Sequence, residues 1–118
     1  MYGLNKVYLV GFLGSDPEAN KSKNGKDYVR LNLATHRSTK TADGQWEAVT
    51  DWHNVTVWGK RAESCAQNLR KGAKVMVDGY LSHYESTDEK GETRRQTAIT
   101  ANNVEFFNAA QLRTRASA

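Results

Sequence analysis

This sequence has little of what most protein classes depend on. It has one cysteine, Cys65, so no disulfide can form within the chain, which suits a reducing compartment. It has one proline, Pro17, and no apolar run near the roughly 20 residues of a membrane helix. The opening stretch, MYGLNKVYLVGFLG, lacks the basic flank and the small-residue cleavage site of a signal peptide. A cytoplasmic location without a membrane contact is expected. His36, His53 and His83 sit on separate predicted elements, and no CxxC, HxxxH or HExxH spacing is present. No metal and no cofactor are expected. A Walker-type phosphate loop and a nucleophile elbow are also missing, so the chain is not expected to be an enzyme.

What is present fits one domain. The 118 residues are 38% apolar and 25% charged, a composition that folds rather than stays disordered. The formal net charge of +4 is a mild excess that favours a polyanionic partner.

Residues 4–13 read as a first strand, with Val7, Leu9 and Leu13 on one side and Lys6, Tyr8 and Phe12 on the other. Apolar residues on both sides point to a barrel strand or a subunit contact. GSDPEANKSKNGK reads as a loop, with Asn24-Gly25 as a two-residue turn. Residues 28–36 read as a second strand, with Val29, Leu31 and Leu33 inward and Arg30, Asn32 and Ala34 outward. RSTKTADGQWEA reads as a polar loop that turns at Asp43-Gly44 and carries Trp46 alone. A third strand covers 50–60. Residues 61–69 are helix-forming, with apolar spacing at Ala62, Cys65, Ala66 and Leu69 and a basic, glycine-containing end. Residues 73–84 form a fourth strand with Val75, Val77 and Leu81 on one face, and 93–106 form the last. The domain is expected to span 1–107, and 108–118 to be a flexible C-terminal tail. Five strands with one short helix between the third and fourth predict an all-β fold, the five-stranded oligonucleotide-binding (OB) barrel.

The third strand carries the most information. In TDWHNVTVWGK, Trp52, Asn54, Thr56 and Trp58 share one face, and His53, Val55 and Val57 share the other. The valine face suits a core. A tryptophan pair on a strand often belongs to a core too, but a core face would not carry Asn54 and Thr56. Two flat rings beside Lys60 and Arg61 suit a sequence-tolerant groove for single-stranded nucleic acid. Every base offers a face to stack on and every nucleotide a phosphate to neutralise. Tyr84 either contacts the strand or covers a barrel end. Trp46 stacks on nucleic acid, packs on a neighbouring subunit, or caps its own barrel. Met76 and Tyr80 would make an exposed apolar patch on a monomer, so a subunit interface is expected there. Lys6, Arg30, Arg37, Lys60, Arg70 and Lys71 are the candidate phosphate contacts, stronger as a set than singly.

The segments NKVYLVGFLGSDPE, LNLAT, TDWHNVTVWGK and LRKGAKVMVDGYL, in that order and spacing, resemble the DNA-binding core of bacterial single-stranded-DNA-binding proteins. The resemblance runs from about Asn5 to Val104. It implies sequence-independent binding and protection of single-stranded DNA in replication, recombination and repair, as a homotetramer of OB barrels associated with the nucleoid. It places Trp52 and Trp58 on stacking positions, Lys60, Arg70 and Lys71 near the DNA path, and His53 close to the subunit interface. The chain departs from the family at three places. A stacking tryptophan often found after LAT is replaced by HRSTK. Ser86 stands about where another is common. Family members usually end in an acidic tip that recruits proteins, whereas no acidic residue follows Glu105 here, and Arg113 and Arg115 do. Replication and repair proteins are expected as partners only where the full-length protein has an acidic tail. Two rival readings are a dimeric primosome-type relative and a barrel that binds protein with both tryptophans buried.

Overall fold

The computed structural model describes residues 3–107. The tail expected over 108–118 lies outside the described residues. In chain order the elements are β1 (Val7–Leu13), β2 (Glu18–Lys21), β3 (Asp27–Lys40), β4 (Trp46–Trp58), α1 (Lys60–Asn68), β5 (Lys74–Thr87) and β6 (Thr93–Phe107). The strands lie in the order β1-β5-β6-β4-β3-β2, and β1 also pairs with β3. The five long strands therefore close into the expected barrel. One seam is the antiparallel pair Phe12↔Ala34 and Leu13↔Leu33. Another is a short parallel pairing, Val55↔Ile99 and Thr56↔Thr100.

Alternation drives the closure. Val29, Leu31 and Leu33 of β3, Val55 and Val57 of β4, and Val75 and Val77 of β5 all point inward and are buried. Burying such a side chain is worth about 1.5–3 kcal/mol. Helix α1 adds Ala62 and Cys65, and Leu69 at its C-terminus completes the core. Burial without a charge partner pushes the Cys65 thiol up to about 11. Arg70 Nη1 donates to the carbonyls of Ala66 at 3.0 Å and Leu69 at 2.7 Å, satisfying oxygens that the ending helix leaves free.

Two stretches expected as loops are strands. Residues 18–21 form β2 on the edge of β3, from Glu18↔Arg30 to Lys21↔Asp27. RSTK and WEA belong to β3 and β4, which run on past the barrel as a two-stranded arm. An arm wet on both faces has no buried face, so it needs no apolar alternation and gives no such signal. Leu81 shares the inward parity of Val75 and Val77, yet it is 44% exposed, lying beyond Val7↔Gly79, the last pairing of β5 with β1.

One hairpin turn also differs from expectation. Asn24-Gly25 is not a two-residue turn with two positive φ values. Gly25 has φ 80°, and no residue other than glycine has a positive φ among the described residues. Gly25 N–H donates to the Ser22 carbonyl, and Ser22 N–H to that of Lys26. The same pair of bonds closes Thr41–Gln45 and Asp88–Glu92. Each is a three-residue loop with a left-handed residue in its last position, which glycine fills without steric cost.

Candidate nucleic-acid interface

The β3–β4 register is unbroken from Tyr28↔Trp58 to Lys40↔Trp46. Opposed residues share a face, so the outer face is a ladder. Its rungs are Tyr28/Trp58, Arg30/Thr56, Asn32/Asn54, Ala34/Trp52, His36/Thr50, Ser38/Ala48 and Lys40/Trp46. Trp46, Trp52 and Trp58 all lie on it. Each lies six positions from the next, about 20 Å along a strand. They are 70%, 57% and 43% exposed.

Beside the Tyr28/Trp58 end is a groove of about 450 Å³. Its floor is Arg30 and Thr56, continued across the seam by Thr100, Ala98 and Ser82. Tyr84 forms one wall, and Lys21 and Lys23, at the end of β2 and in its turn, form the other. Arg30 stands 5.9 Å from the Tyr28 ring centroid, placing a cation against an aromatic face. Lys60 opens α1 two residues after Trp58. The arrangement offers flat rings, hydroxyls and cations along one open track, as a flexible polyanion with stacking bases requires.

The structure brings Trp58, Tyr84 and Arg30 together, with Trp52 three rungs on from Trp58 and Trp46 at the tip of the arm. Near the middle rungs, Arg30, Asn32 and Asn54 line a polar hollow with Ser15, Asp16 and Glu18. Lys71 is nearby, its backbone N–H donating to Asp16 Oδ1 at 2.8 Å.

Other expected contacts lie elsewhere. Arg37 has the opposite parity, and its Nε donates to Asp51 Oδ2 at 2.8 Å on the other face of the arm. Lys6 Nζ lies 3.0 Å from Asp78 Oδ1. This hydrogen-bonded ion pair holds the Lys6 ammonium above the ordinary lysine range. The Arg70 guanidinium is occupied at the end of α1. His53 points to the inner face, where its Nε2 shares a 2.8 Å hydrogen bond with Thr35 Oγ1.

Tyr28, Lys21 and Lys23 line the groove and were not anticipated. Tyr28 has the parity of Arg30, but only the register shows that it faces Trp58. The lysines lie in the stretch read as a plain loop.

A second surface surrounds Met76. Its β1 neighbours Tyr8, Val10 and Phe12 are 64%, 50% and 46% exposed on the outer face. Lys74 lies over Phe12 at 5.9 Å and over Phe107 at 5.8 Å. Among the described residues, no strand pairs with the β3-facing edge of Val7–Gly11. Tyr80 stands further along β5, opposite Thr100. No group of three or more potential metal ligands occurs among the described residues, and no helix there could cross a membrane.

The model of the single-strand binding protein family matches residues 4–107. Single-stranded DNA-binding protein 1 of Chlorobaculum tepidum is 37% identical over 108 residues, 91% of this chain and 67% of that protein. The single-stranded DNA-binding protein of Xanthomonas axonopodis pv. citri is 39% identical over 105 residues, 89% of this chain and 58% of that one. The chain thus spans about three fifths to two thirds of these relatives. Among solved structures, the Plasmodium falciparum SSB in complex with ssDNA superposes with a TM-score of 0.81 at 24% identity, over 92% of this chain and 98% of that one. A deletion mutant of the single-stranded DNA binding protein from Thermus aquaticus gives 0.78 at 28% identity, over 91% and 52%.

Proposed function

This chain belongs to the single-strand binding protein family, and from that premise we propose that it coats single-stranded DNA in replication, recombination and repair. The three tryptophans on one face of β4, continuous with the cationic groove, are the observation that carries this reading. Bases stack on Trp58, Trp52, Tyr84 and Trp46. Phosphates are neutralised by Arg30, Lys60 and Lys71, with Lys21 and Lys23 added from the groove wall. The action is passive. An unpaired strand can lay its bases on the rings and a duplex cannot, so mass action holds opened DNA apart. No bond is made or broken, so the protein works as a binder and not as an enzyme, in the cytoplasm on the nucleoid.

The exposed face of Tyr8, Val10, Phe12 and Met76, with the open edge of β1, supports self-association, and a homotetramer is the state proposed. Tyr80 and His53 stand as its further contacts. Protein partners would dock through an acidic tail, as the resemblance implies, and the described residues carry no such segment.

A titration of tryptophan fluorescence with oligo(dT) of increasing length tests the reading, with light scattering read in parallel. Strong quenching that saturates at a defined length per protomer is expected. Unquenched tryptophans at saturating oligonucleotide would support the protein-binding module instead.

A further inference from the structure

The indole of Trp52 lies against Gly14, just after β1. A Cβ on Gly14 would fall 2.7 Å from Cη2 of Trp52, closer still to Cζ3, and 3.5 Å from Cε3. Real Cβ atoms essentially never come within 3.0 Å of such a neighbour. Gly14 is not among the glycines with positive φ, so its backbone does not itself demand glycine. The requirement comes from the ring.

The backbone cannot retreat. Gly14 N–H donates to the Asn32 carbonyl at 2.9 Å, fixing it to β3. Leu13 before it is buried in the core, donates to the Ala73 carbonyl at 3.0 Å and accepts from Gly72 N–H at 2.8 Å. Across the ladder, Trp52 faces Ala34, which offers only a methyl group. The indole therefore rests on bare backbone with its outer surface open.

We infer that Gly14 is a positioning residue for single-stranded DNA: its missing side chain lets the Trp52 indole lie down at the angle on which a base stacks. This rests on the reading of Trp52 as a stacking platform. A methyl group at position 14 tips the ring towards solvent. The ring remains, but its plane is wrong for a base that must also keep its neighbours on Trp58 and its phosphates on the cations. Stacking on a ring is a main source of binding for each base, so a tilted platform forfeits a sizeable part of it.

The test is oligo(dT) binding by the full chain carrying Gly14→Ala, Trp52→Ala, Trp52→Phe, and Gly14→Ala combined with each, with thermal melting of every variant. Gly14→Ala alone is expected to weaken binding about fivefold to tenfold, within the range of one stacked base. Phenylalanine lacks the benzo edge that meets position 14. In both Trp52 backgrounds the same substitution should therefore change affinity by less than about twofold, within what distant, uncoupled sites show. The salt slope of Gly14→Ala should match that of the parent, since no charge has moved. If Trp52→Ala binds normally, the platform reading fails. If Trp52→Ala is weak and Gly14→Ala binds like the parent, the platform stands and the role of Gly14 is overturned. An equal Gly14→Ala loss in all backgrounds, of affinity or of melting temperature, also overturns it, because the methyl group would then be meeting something other than the ring.

Discussion

Trp58 and Tyr28 face each other across the β3–β4 ladder with ring centroids 4.8 Å apart and planes tilted by 39°. Tyr28 supports the Trp58 ring from the neighbouring strand while Trp58 stays substantially exposed. An aromatic pair at this spacing contributes about 0.5–1.5 kcal/mol beyond the area it buries.

Trp58→Ala should weaken single-strand binding by about 1–3 kcal/mol, the range for one stacked base, with the fold retained. Tyr28→Leu should weaken it less, because the platform loses its support and not itself. Fluorescence titrations of both variants, with circular dichroism as the control, check the order. A fully active Trp58→Ala would remove that ring from the track.

Salt should separate the cations on the track from those used in the fold. The logarithm of affinity should fall linearly with that of salt, with a slope near −0.7 per phosphate neutralised. Charge reversal at Lys60 or Lys71 should flatten this slope. Arg37→Ala should leave it nearly unchanged, because that guanidinium is held by Asp51 on the other face. Binding isotherms at several salt concentrations decide, and a strong effect at Arg37 would contradict the geometric assignment.

The outer face of β1 should set the assembly. Val10→Glu places a charge among Tyr8, Phe12 and Met76, which a buried interface tolerates poorly. Light scattering should show the oligomer falling to a smaller species while tryptophan quenching by a short oligonucleotide persists. An unchanged mass would move the interface elsewhere.

Cys65 reports on global opening. Its thiol is buried with its pKa raised to about 11, against an ordinary value of 9.0. Native protein at neutral pH should resist a thiol reagent that labels the unfolded chain quickly. Between those two values the unfolded chain releases the thiol proton and the folded chain keeps it. Stability should therefore fall as pH rises through that window. Denaturant midpoints at pH 8 and pH 10 measure the slope. Rapid labelling of the native state would mean that the α1 end of the barrel opens locally.

The parts legible in the sequence are those where one face is buried. Val29 to Leu33 and Val55 to Val57 alternate because solvent and core lie on opposite sides, so strands, parity and the Trp52–Trp58 face could all be read. The β3–β4 arm gave no such contrast, and Trp46 was read as a loop residue although it continues the tryptophan face. Register was not legible, since it depends on where the turn at Thr41–Gln45 closes. That is why Tyr28 was missed opposite Trp58, and why Arg37 stood among the candidate phosphate contacts. Lys6 and Arg70 show the same gap, because charge is visible in a sequence and its partner is not.

The β3–β4 arm behaves as a ruler with fixed graduations. The turn at its tip supplies its own bonds and asks nothing of the strands below, so the arm can gain or lose paired residues without disturbing the barrel. Only changes of two residues per strand keep Trp46 in line with Trp52 and Trp58, because a change of one turns it to the opposite side. The row of tryptophans can therefore lengthen or shorten only in quanta of about 7 Å. Each intermediate length carries a tip tryptophan that faces away from Trp52 and Trp58.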